Sequence, residues 1–277
     1  MLFYYAIYVV LGLAVGSFLN VCIHRIPRGE SIVLPASHCP HCLRPIRPLY
    51  NIPVLSYVWL GGKCRHCRQP ISFQYPLVEG VTGLAFFCCA LRWDLTAPAF
   101  LNSVFLAALV VLVFIDYRHQ ILPNVITLPG ALLGIVLSFF QDQAYFEDAI
   151  SDYLSSALWH ANPSALLPWV GSTLGALVGG GVLFGVGSAY HLVRKRPGLG
   201  MGDVKMMAMV GAFLGWRLAL LTIFLGSLLG SLAGIFLILF RGRTMQSKLA
   251  FGTFLGAGAA AILFFGLPFI RWYTAAR

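Results

Sequence analysis

The run MLFYYAIYVVLGLAVGSFLN at residues 1–20 decides the fold class, because twenty consecutive residues carry no charge. A bilayer core about 30 Å thick needs roughly 20 apolar residues in one helix. No basic residue precedes the run, and no small-residue cleavage site follows it. We therefore interpret it as a first membrane span rather than as a removable signal peptide.

The rest of the chain has the same character. Of its 277 residues, 59% are hydrophobic and only 10% are charged, and the mean hydropathy is +0.83; soluble domains are about 25% charged. The sequence predicts an all-α polytopic membrane protein with about eight transmembrane helices, in the stretches 2–22, 76–93, 97–115, 124–140, 168–190, 204–216, 218–240 and 250–268. The sixth of these stretches is short, and its helix is expected to be tilted, broken or partly re-entrant.

The distribution of basic residues predicts the orientation in the membrane. Lysine and arginine outnumber aspartate and glutamate by 19 to 9. If the spans alternate, fifteen of these cations fall on one face, within 23–75, 191–205 and 241–249 and at Arg118. The positive-inside rule makes that face cytoplasmic and places the N-terminus outside. No nucleic-acid partner is expected, because the charge is not interleaved with an aromatic platform.

A polar insertion, residues 24–75, carries two CxxC pairs. It is too short to bury a sizeable hydrophobic core, so it should need a disulfide or a bound metal to hold it together. The pairs Cys39/Cys42 and Cys64/Cys67 are 21 residues apart, close to the spacing of a four-thiolate zinc site. Disulfides or free thiols are the alternative, and a cytoplasmic location argues against disulfides. A closed four-thiolate site has no open coordination position, so the predicted zinc is structural.

Two carboxylates stand at the ends of apolar stretches: Asp116 in FIDYRHQILPN (114–124) and Asp203 in GLGMGDVKMMA (198–208). Ionisable groups at such positions suggest function. The third span runs inward and the sixth begins inside, so both carboxylates are expected at the cytoplasmic boundary, where they can meet. Two adjacent carboxyls share one proton. One can then take a proton from water while the other protonates or polarises a peptide carbonyl, which is the chemistry of aspartyl proteolysis.

A turn dense in glycine leads into the second carboxylate. Gly198, Gly200 and Gly202 alternate with larger residues before Asp203. Glycine lets an extended substrate backbone approach closely and adopts positive φ readily. Both properties are expected of this turn.

Other interpretations remain open at this point. Asp116 is also explained as an interfacial residue paired with Arg118, and Asp203 as the N-cap of the sixth span, paired with Lys205. A proton-coupled transporter would place its carboxylates near the bilayer midplane. A metal-dependent protease is disfavoured because the chain has no HExxH motif. A non-catalytic zinc-loop scaffold of a secretion assembly is the remaining alternative.

Several motifs together resemble the type IV prepilin peptidases, which are membrane aspartyl proteases of the GxGD class. The resemblance covers nearly the whole chain. GxGD alone is a weak signal, and the combination is specific. The motifs are GSFLNVCIHRIP (16–27), CPHC (39–42), CRHC (64–67), ISFQYPLVEGVTG (71–83), IDYRHQILPNVITLP (115–129) and GLGMGDVKMMAMVGAFLG (198–215).

The resemblance implies an activity. The family's two catalytic aspartates fall on Asp116 and Asp203. Its members cleave the basic leader from prepilins and pseudopilins after a glycine, on the cytoplasmic side of the bacterial inner membrane. Many also methylate the new N-terminal amine with S-adenosylmethionine. No glycine-rich Rossmann pattern identifies a methyl-donor pocket here, so this second activity is implied by the resemblance and by the intact cysteine loop.

The resemblance also implies supporting roles for four residues. Gly200, Gly202 and Lys205 belong to the GxGDxK stretch and are expected to bind or support substrate. Glu79 is expected to orient substrate or methyl donor, with a hydrogen bond inside the helix bundle as the alternative. The expected organisation is a first transmembrane helix (1–23), a cytoplasmic tetracysteine zinc loop (24–75) and a transmembrane aspartyl protease core (76–277).

Overall fold

The computed structural model describes residues 2–158, 163–195, 198–241 and 249–275. Within these ranges the chain is predominantly helical, with two isolated β-bridges and no sheet. Four of the cations counted above, Arg196, Arg243, Lys248 and Arg277, lie outside the described residues. The helices are α1 (Leu2–Arg25), α2 (Leu55–Trp59), α3 (Gln74–Trp93), α4 (Ala97–His119), α5 (Asn124–Val136), α6 (Ala149–Leu158), α7 (Pro163–Arg194), α8 (Met201–Arg241) and α9 (Phe251–Ala275).

The apolar helices agree with a polytopic membrane protein. In the described part of the chain, six helices (α1, α3, α4, α7, α8 and α9) are long and apolar enough to cross a membrane, and α5 is a shorter apolar helix. The eight apolar stretches of the sequence fall on these seven helices, because α8 contains two of them. The predicted all-α membrane fold is therefore confirmed.

Internal contacts divide the chain into two units, Met1–Val111 and Leu112–Arg277, with the division inside α4. In the first unit, α1 packs closely on α3. A Cβ atom built on Gly12 would lie 2.8 Å from Cβ of Phe86, and one built on Gly16 would lie 2.7 Å from Cα of Glu79. The polar insertion occupies the connection between these two helices. Its status as a separate folding domain stays a prediction.

In the second unit, α8 is too long for one crossing. Its 41 residues would extend about 60 Å as a straight helix, twice the bilayer core. Gly215 interrupts it with φ 76° and ψ 169°, which are not helical values. The short segment before Gly215 corresponds to the sixth apolar stretch, for which the sequence predicted a tilted or broken helix.

Contacts with α9 show that α8 doubles back at this interruption. The contact position on α9 advances along the chain between Met206 and Leu218, which flank Gly215, and it returns toward the start of α9 beyond Leu218. Three close approaches of a glycine to a neighbouring residue trace this path: Met206 with Gly256, Leu218 with Gly266, and Gly226 with Leu255. The first segment of α8 therefore runs parallel to α9, and the second runs antiparallel to it.

The interruption requires glycine for two reasons. A positive φ is unfavourable for residues with a Cβ atom. In addition, a Cβ atom on Gly215 would collide with the carbonyl oxygen of Tyr145, in the connection between α5 and α6. The Arg217 guanidinium donates a hydrogen bond to the Glu147 carbonyl in the same connection. This connection therefore packs against the point where α8 reverses.

Helices α7 and α8 approach each other through glycine. A Cβ atom on Gly175 would collide with the backbone of Gly211, and a Cβ atom on Gly211 would collide with the backbone of Gly175. Gly175 is buried, whereas Gly181 on the same helix is exposed, with nothing within 4 Å of a Cβ atom there. Small residues of this kind let membrane helices pack backbone against backbone.

We expect Gly175→Ala to destabilise the second unit by about 1–3 kcal/mol, since the added methyl group meets backbone that cannot rotate away. Thermal unfolding of the purified protein in detergent measures the loss as a lower Tm. Gly181→Ala is the matched control and should leave Tm unchanged. Equal Tm values for Gly175→Ala and the wild type would show that the two helices are not in close contact.

Candidate functional site

The four cysteines of the polar insertion come together in the first unit. The sulfurs of Cys39, Cys42, Cys64 and Cys67 all lie within 4.8 Å of one another. Sγ of Cys39 is 3.8 Å from Sγ of Cys67. Two ligands of a tetrahedral Zn–S site with 2.3 Å bonds lie about 3.8 Å apart, so the group could bind zinc. All seven cysteines of the chain are unbonded in this structure, with no disulfide between them.

Each CxxC pair is held by the same backbone turn. Leu43 and Arg68, the residues after the second cysteine of each pair, have positive φ values of 56° and 60°. The amide of each of these two residues donates to the carbonyl of the first cysteine of its pair, over 2.9 and 3.0 Å. The pattern CxHCxxP occurs at 39–45 and again at 64–70. The insertion is therefore built from two equivalent turns that face one another across the sulfurs.

Backbone amides prepare one of these thiols for metal binding. The N–H of Cys67, and more weakly that of His66, donates to Sγ of Cys64 and lowers the pKa of the Cys64 thiol to about 7. Hydrogen bonds to the charged form favour it, and the thiolate is the form that binds metal. The ligand group contains no histidine: His38 and His66 are exposed and contact Ala36 and Arg44 instead.

Glu79 lies in the first unit and anchors the insertion to the helices. Its carboxylate is buried on α3 and accepts a hydrogen bond from the Val54 amide over 2.7 Å. The Ser17 side chain on α1 also hydrogen-bonds to it. Val54 has φ 59°, an unusual value for a β-branched residue, and the bond to Glu79 holds it there. The Ser17 contact joins α1 to α3 and corresponds to the hydrogen bond inside the helix bundle that the sequence left as the alternative. The role of Glu79 in orienting substrate or methyl donor stays a prediction.

The second unit brings Asp116 and Asp203 together. Asp116 lies in the last turn of α4 and is only 5% exposed, while Asp203 lies in the first turn of α8 and is partly exposed. The two carboxylates are close enough to repel each other electrostatically. Leu122 lies beside both, because Cβ atoms built on Gly202 and on Gly252 would each lie 2.9 Å from it.

The glycine turn before Asp203 gives close packing without positive φ. Among the described residues, neither Gly200 nor Gly202 has a positive φ, so the expectation of positive φ just before Asp203 was wrong. Gly200 instead lies against the carboxylate, where an added Cβ atom would be 3.3 Å from Asp203 Oδ2. The Asp203 amide donates to the Gly200 carbonyl over 3.1 Å. The absence of side chains therefore lets this turn close tightly around Asp203.

Lys205 joins the two segments that carry the carboxylates. Its ammonium group donates to Asn124 Oδ1 over 2.9 Å. Asn124 begins α5, directly after the loop that follows Asp116. No ion pair between Asp116 and Arg118, or between Asp203 and Lys205, occurs in the described residues. The structure therefore does not account for these aspartates by the ion pairs considered from the sequence.

Thr253, in the first turn of α9, is a contact that the sequence did not predict. Its amide donates to Asp116 Oδ2 over 2.6 Å, and its hydroxyl donates to the same oxygen over 3.0 Å. The neighbouring Gly252 lies against that oxygen too, at 3.0 Å from an added Cβ atom. Gly252 and Gly256 are four residues apart, a spacing of small residues that lets membrane helices pack closely.

This arrangement suits acid–base chemistry at a peptide bond. Two carboxyls from distant parts of the chain lie near one another at the ends of their helices, with Leu122 beside the turns that carry them, and hydrogen bonds from Thr253 hold Asp116. Adjacent carboxyls share a proton, so that one accepts a proton while the other donates one.

The chain matches two models of known protein families. A family model described as "Bacterial Peptidase A24 N-terminal domain" matches residues 10–93, and one described as "Type IV leader peptidase family" matches residues 103–235. The chain is similar to three curated proteins named "Prepilin leader peptidase/N-methyltransferase". The protein of Aeromonas hydrophila is 33% identical across 98% of this chain and 93% of its own length.

The two other relatives come from the genus Pseudomonas. The protein of Pseudomonas putida is 35% identical across 92% of this chain and 88% of its own length. That of Pseudomonas aeruginosa is 33% identical across 96% of this chain and 91% of its own length. No solved structure is significantly similar.

Proposed function

Since the chain belongs to the type IV leader peptidase family, we propose that it cleaves the basic leader from type IV prepilins after a glycine residue. The resemblance extends the proposed substrates to the pseudopilins of type II secretion. One observation carries the proposal: Asp116 and Asp203, 87 positions apart in the sequence, lie together at the ends of α4 and α8.

Cleavage by this pair needs no covalent intermediate. One carboxylate takes a proton from a water molecule, and the water oxygen attacks the carbonyl carbon of the scissile bond. The other carboxyl donates a proton to the carbonyl oxygen, which stabilises the charge that develops there. The C–N bond then breaks, and the leaving amine nitrogen takes up a proton. The glycine turn around Asp203 favours a small residue on the acyl side of the bond.

The second proposed activity is methylation of the amine that cleavage releases. The names of the relatives include N-methyltransferase, and S-adenosylmethionine is the proposed methyl donor. The donor supplies the methyl group, and the free amine is the nucleophile. Both proposed reactions therefore act in sequence on one substrate terminus.

Zinc is the proposed resident metal, held by Cys39, Cys42, Cys64 and Cys67. The four-sulfur donor set and the sulfur spacing support this assignment. Four protein ligands complete a tetrahedral shell, so the metal would hold the polar insertion together without contacting substrate.

The proposed location is the bacterial inner membrane, with the zinc loop and the carboxylates facing the cytoplasm. The excess of lysine and arginine in residues 23–75 supports this orientation. In that orientation the basic leader of a prepilin would stay in the cytoplasm, while its apolar segment enters from the bilayer.

Purified full-length protein in detergent, incubated with a synthetic prepilin peptide, tests the proposal. Mass spectrometry should show a product cut after the glycine, and added S-adenosylmethionine should increase its mass by one methyl group. A peptide with leucine in place of that glycine is the matched control and should stay intact. Binding of the peptide without cleavage would favour the scaffold alternative and reject the protease.

A further inference from the structure

We propose that the first turn of α9 is a third element of the catalytic site, in which Thr253 and Gly252 position the Asp116 carboxylate. This inference depends on the proposed protease function. Thr253 is assigned as a positioning residue, because it acts through its two hydrogen bonds to Asp116.

The hydrogen bonds to Asp116 are unequally distributed between its two oxygens. Oδ2 accepts both the amide and the hydroxyl of Thr253, over 2.6 and 3.0 Å. Among the described residues, no donor is recorded for Oδ1. Two bonds to one oxygen restrain the carboxyl group, and in the described part of the chain they leave the other oxygen to contact a water molecule. The orientation of the group is therefore set before a substrate arrives.

The Thr253 amide is available because of its place in the helix. The first four N–H groups of a helix have no partner within it, and Thr253 is the third residue of α9. The positive end of the helix dipole also favours a negative charge at this position. The Asp116 carboxylate at this turn thus accepts a hydrogen bond from the Thr253 amide, which would otherwise need a water molecule as its acceptor.

The Thr253 hydroxyl has two acceptors within reach. It is 3.0 Å from Asp116 Oδ2 and 3.4 Å from the Val113 carbonyl oxygen. A hydroxyl has a single proton, and the shorter contact to a carboxylate is the stronger bond. Val113 lies one turn before Asp116 in α4, so the hydrogen bond to Asp116 and the longer contact with Val113 both place the first turn of α9 against the end of α4.

Gly252 makes the close approach possible. A Cβ atom there would lie 3.0 Å from Asp116 Oδ2 and 2.9 Å from Leu122 Cδ1. Any larger residue would displace either the carboxylate or the loop beside it. The pairing of a glycine with a threonine at this turn therefore serves the geometry of Asp116 as well as helix packing.

These contacts assign different roles to the two aspartates. Hydrogen-bond donors to a carboxylate favour its ionised form. Asp116 has two such donors from Thr253. In a pair that shares one proton, Asp116 is then the base that takes the proton from water, and Asp203 is the acid that donates to the carbonyl oxygen.

Steady-state cleavage of the prepilin peptide by purified full-length variants tests the inference. Thr253→Val removes the hydroxyl at nearly constant shape, and we expect kcat to fall about 10-fold with KM unchanged. Thr253→Ser restores the hydroxyl and should recover kcat to within about twofold of wild type. Thr274→Val, at an exposed threonine near the end of α9, is the matched control and should have wild-type kcat.

Gly252→Ala provides a second test that does not depend on the hydroxyl. We expect it to lower kcat at least as much as Thr253→Val does, whereas Gly181→Ala, in open space, should have no effect. If Thr253→Val kept the wild-type kcat, the inference would be overturned. Cleavage of the peptide by the wild-type protein would still support the protease function in that case. Loss of activity in Thr253→Ser equal to that in Thr253→Val would overturn the inference too. Failure of the wild type to cleave would reject the proposed function itself.

Discussion

Asp116→Asn and Asp203→Asn are each expected to reduce peptide cleavage by at least about 100-fold, the contribution typical of general acid–base catalysis. Asparagine keeps the size of the side chain but can neither take a proton from water nor donate one as an acid. Because the two carboxyls share their task, each single replacement should remove nearly all activity. The double replacement should then be no worse than either single one.

Rates for these variants come from the peptide assay, with Tm and membrane insertion measured alongside. Asp152→Asn, at an exposed aspartate in α6, is the matched control and should cleave at the wild-type rate. A single variant at Asp116 or Asp203 that kept wild-type kcat would exclude that residue from the reaction. Loss of folded protein in step with loss of activity would point to a structural role instead.

Cys39→Ser and Cys64→Ser should lose the bound metal. A serine hydroxyl is a poor replacement for a thiolate, and the remaining three sulfurs leave the tetrahedral shell incomplete. Changes to residues that only support metal ligands already weaken metal binding 10–100-fold. Removal of a ligand itself should therefore weaken zinc binding by more than about 100-fold. Metal analysis of the purified protein should give about one zinc per wild-type chain and almost none per variant.

Cys88→Ser is the control for these variants, because Cys88 lies in α3 and outside the four-sulfur group. It should keep its zinc. Since structural zinc contributes folding energy directly, the polar insertion of Cys39→Ser and Cys64→Ser should also become more sensitive to protease. Full zinc content in both variants would contradict the metal assignment.

The membrane fold follows from composition, because long uncharged stretches have few alternatives to spanning a bilayer. The same alternation of spans predicted that the end of the third stretch and the start of the sixth share one face. Asp116 and Asp203 accordingly lie close together in the structure. The sequence indicated the interruption of α8 only through the short length of the sixth apolar stretch. Its position at Gly215 depends on the tertiary contact with Tyr145.

Other features depend on tertiary register that a sequence pattern does not contain. Thr253 reaches Asp116 across 137 positions, and only the packing of α9 on α4 determines which residue of its first turn does so. The bond from Val54 to Glu79 likewise depends on how the insertion folds back onto α3. The glycines before Asp203 were assigned a positive φ from their general preference, but here they serve close packing.

Cross-linking measures most directly whether the two aspartates form one site. In membranes containing the full-length Asp116→Cys/Asp203→Cys variant, a short thiol cross-linker should join these two positions, and mass spectrometry of the digested protein identifies the linked peptides. We predict a linkage between positions 116 and 203. If each cysteine reacts with the reagent separately but the two are never linked, the carboxylates do not meet and the aspartyl protease mechanism is contradicted.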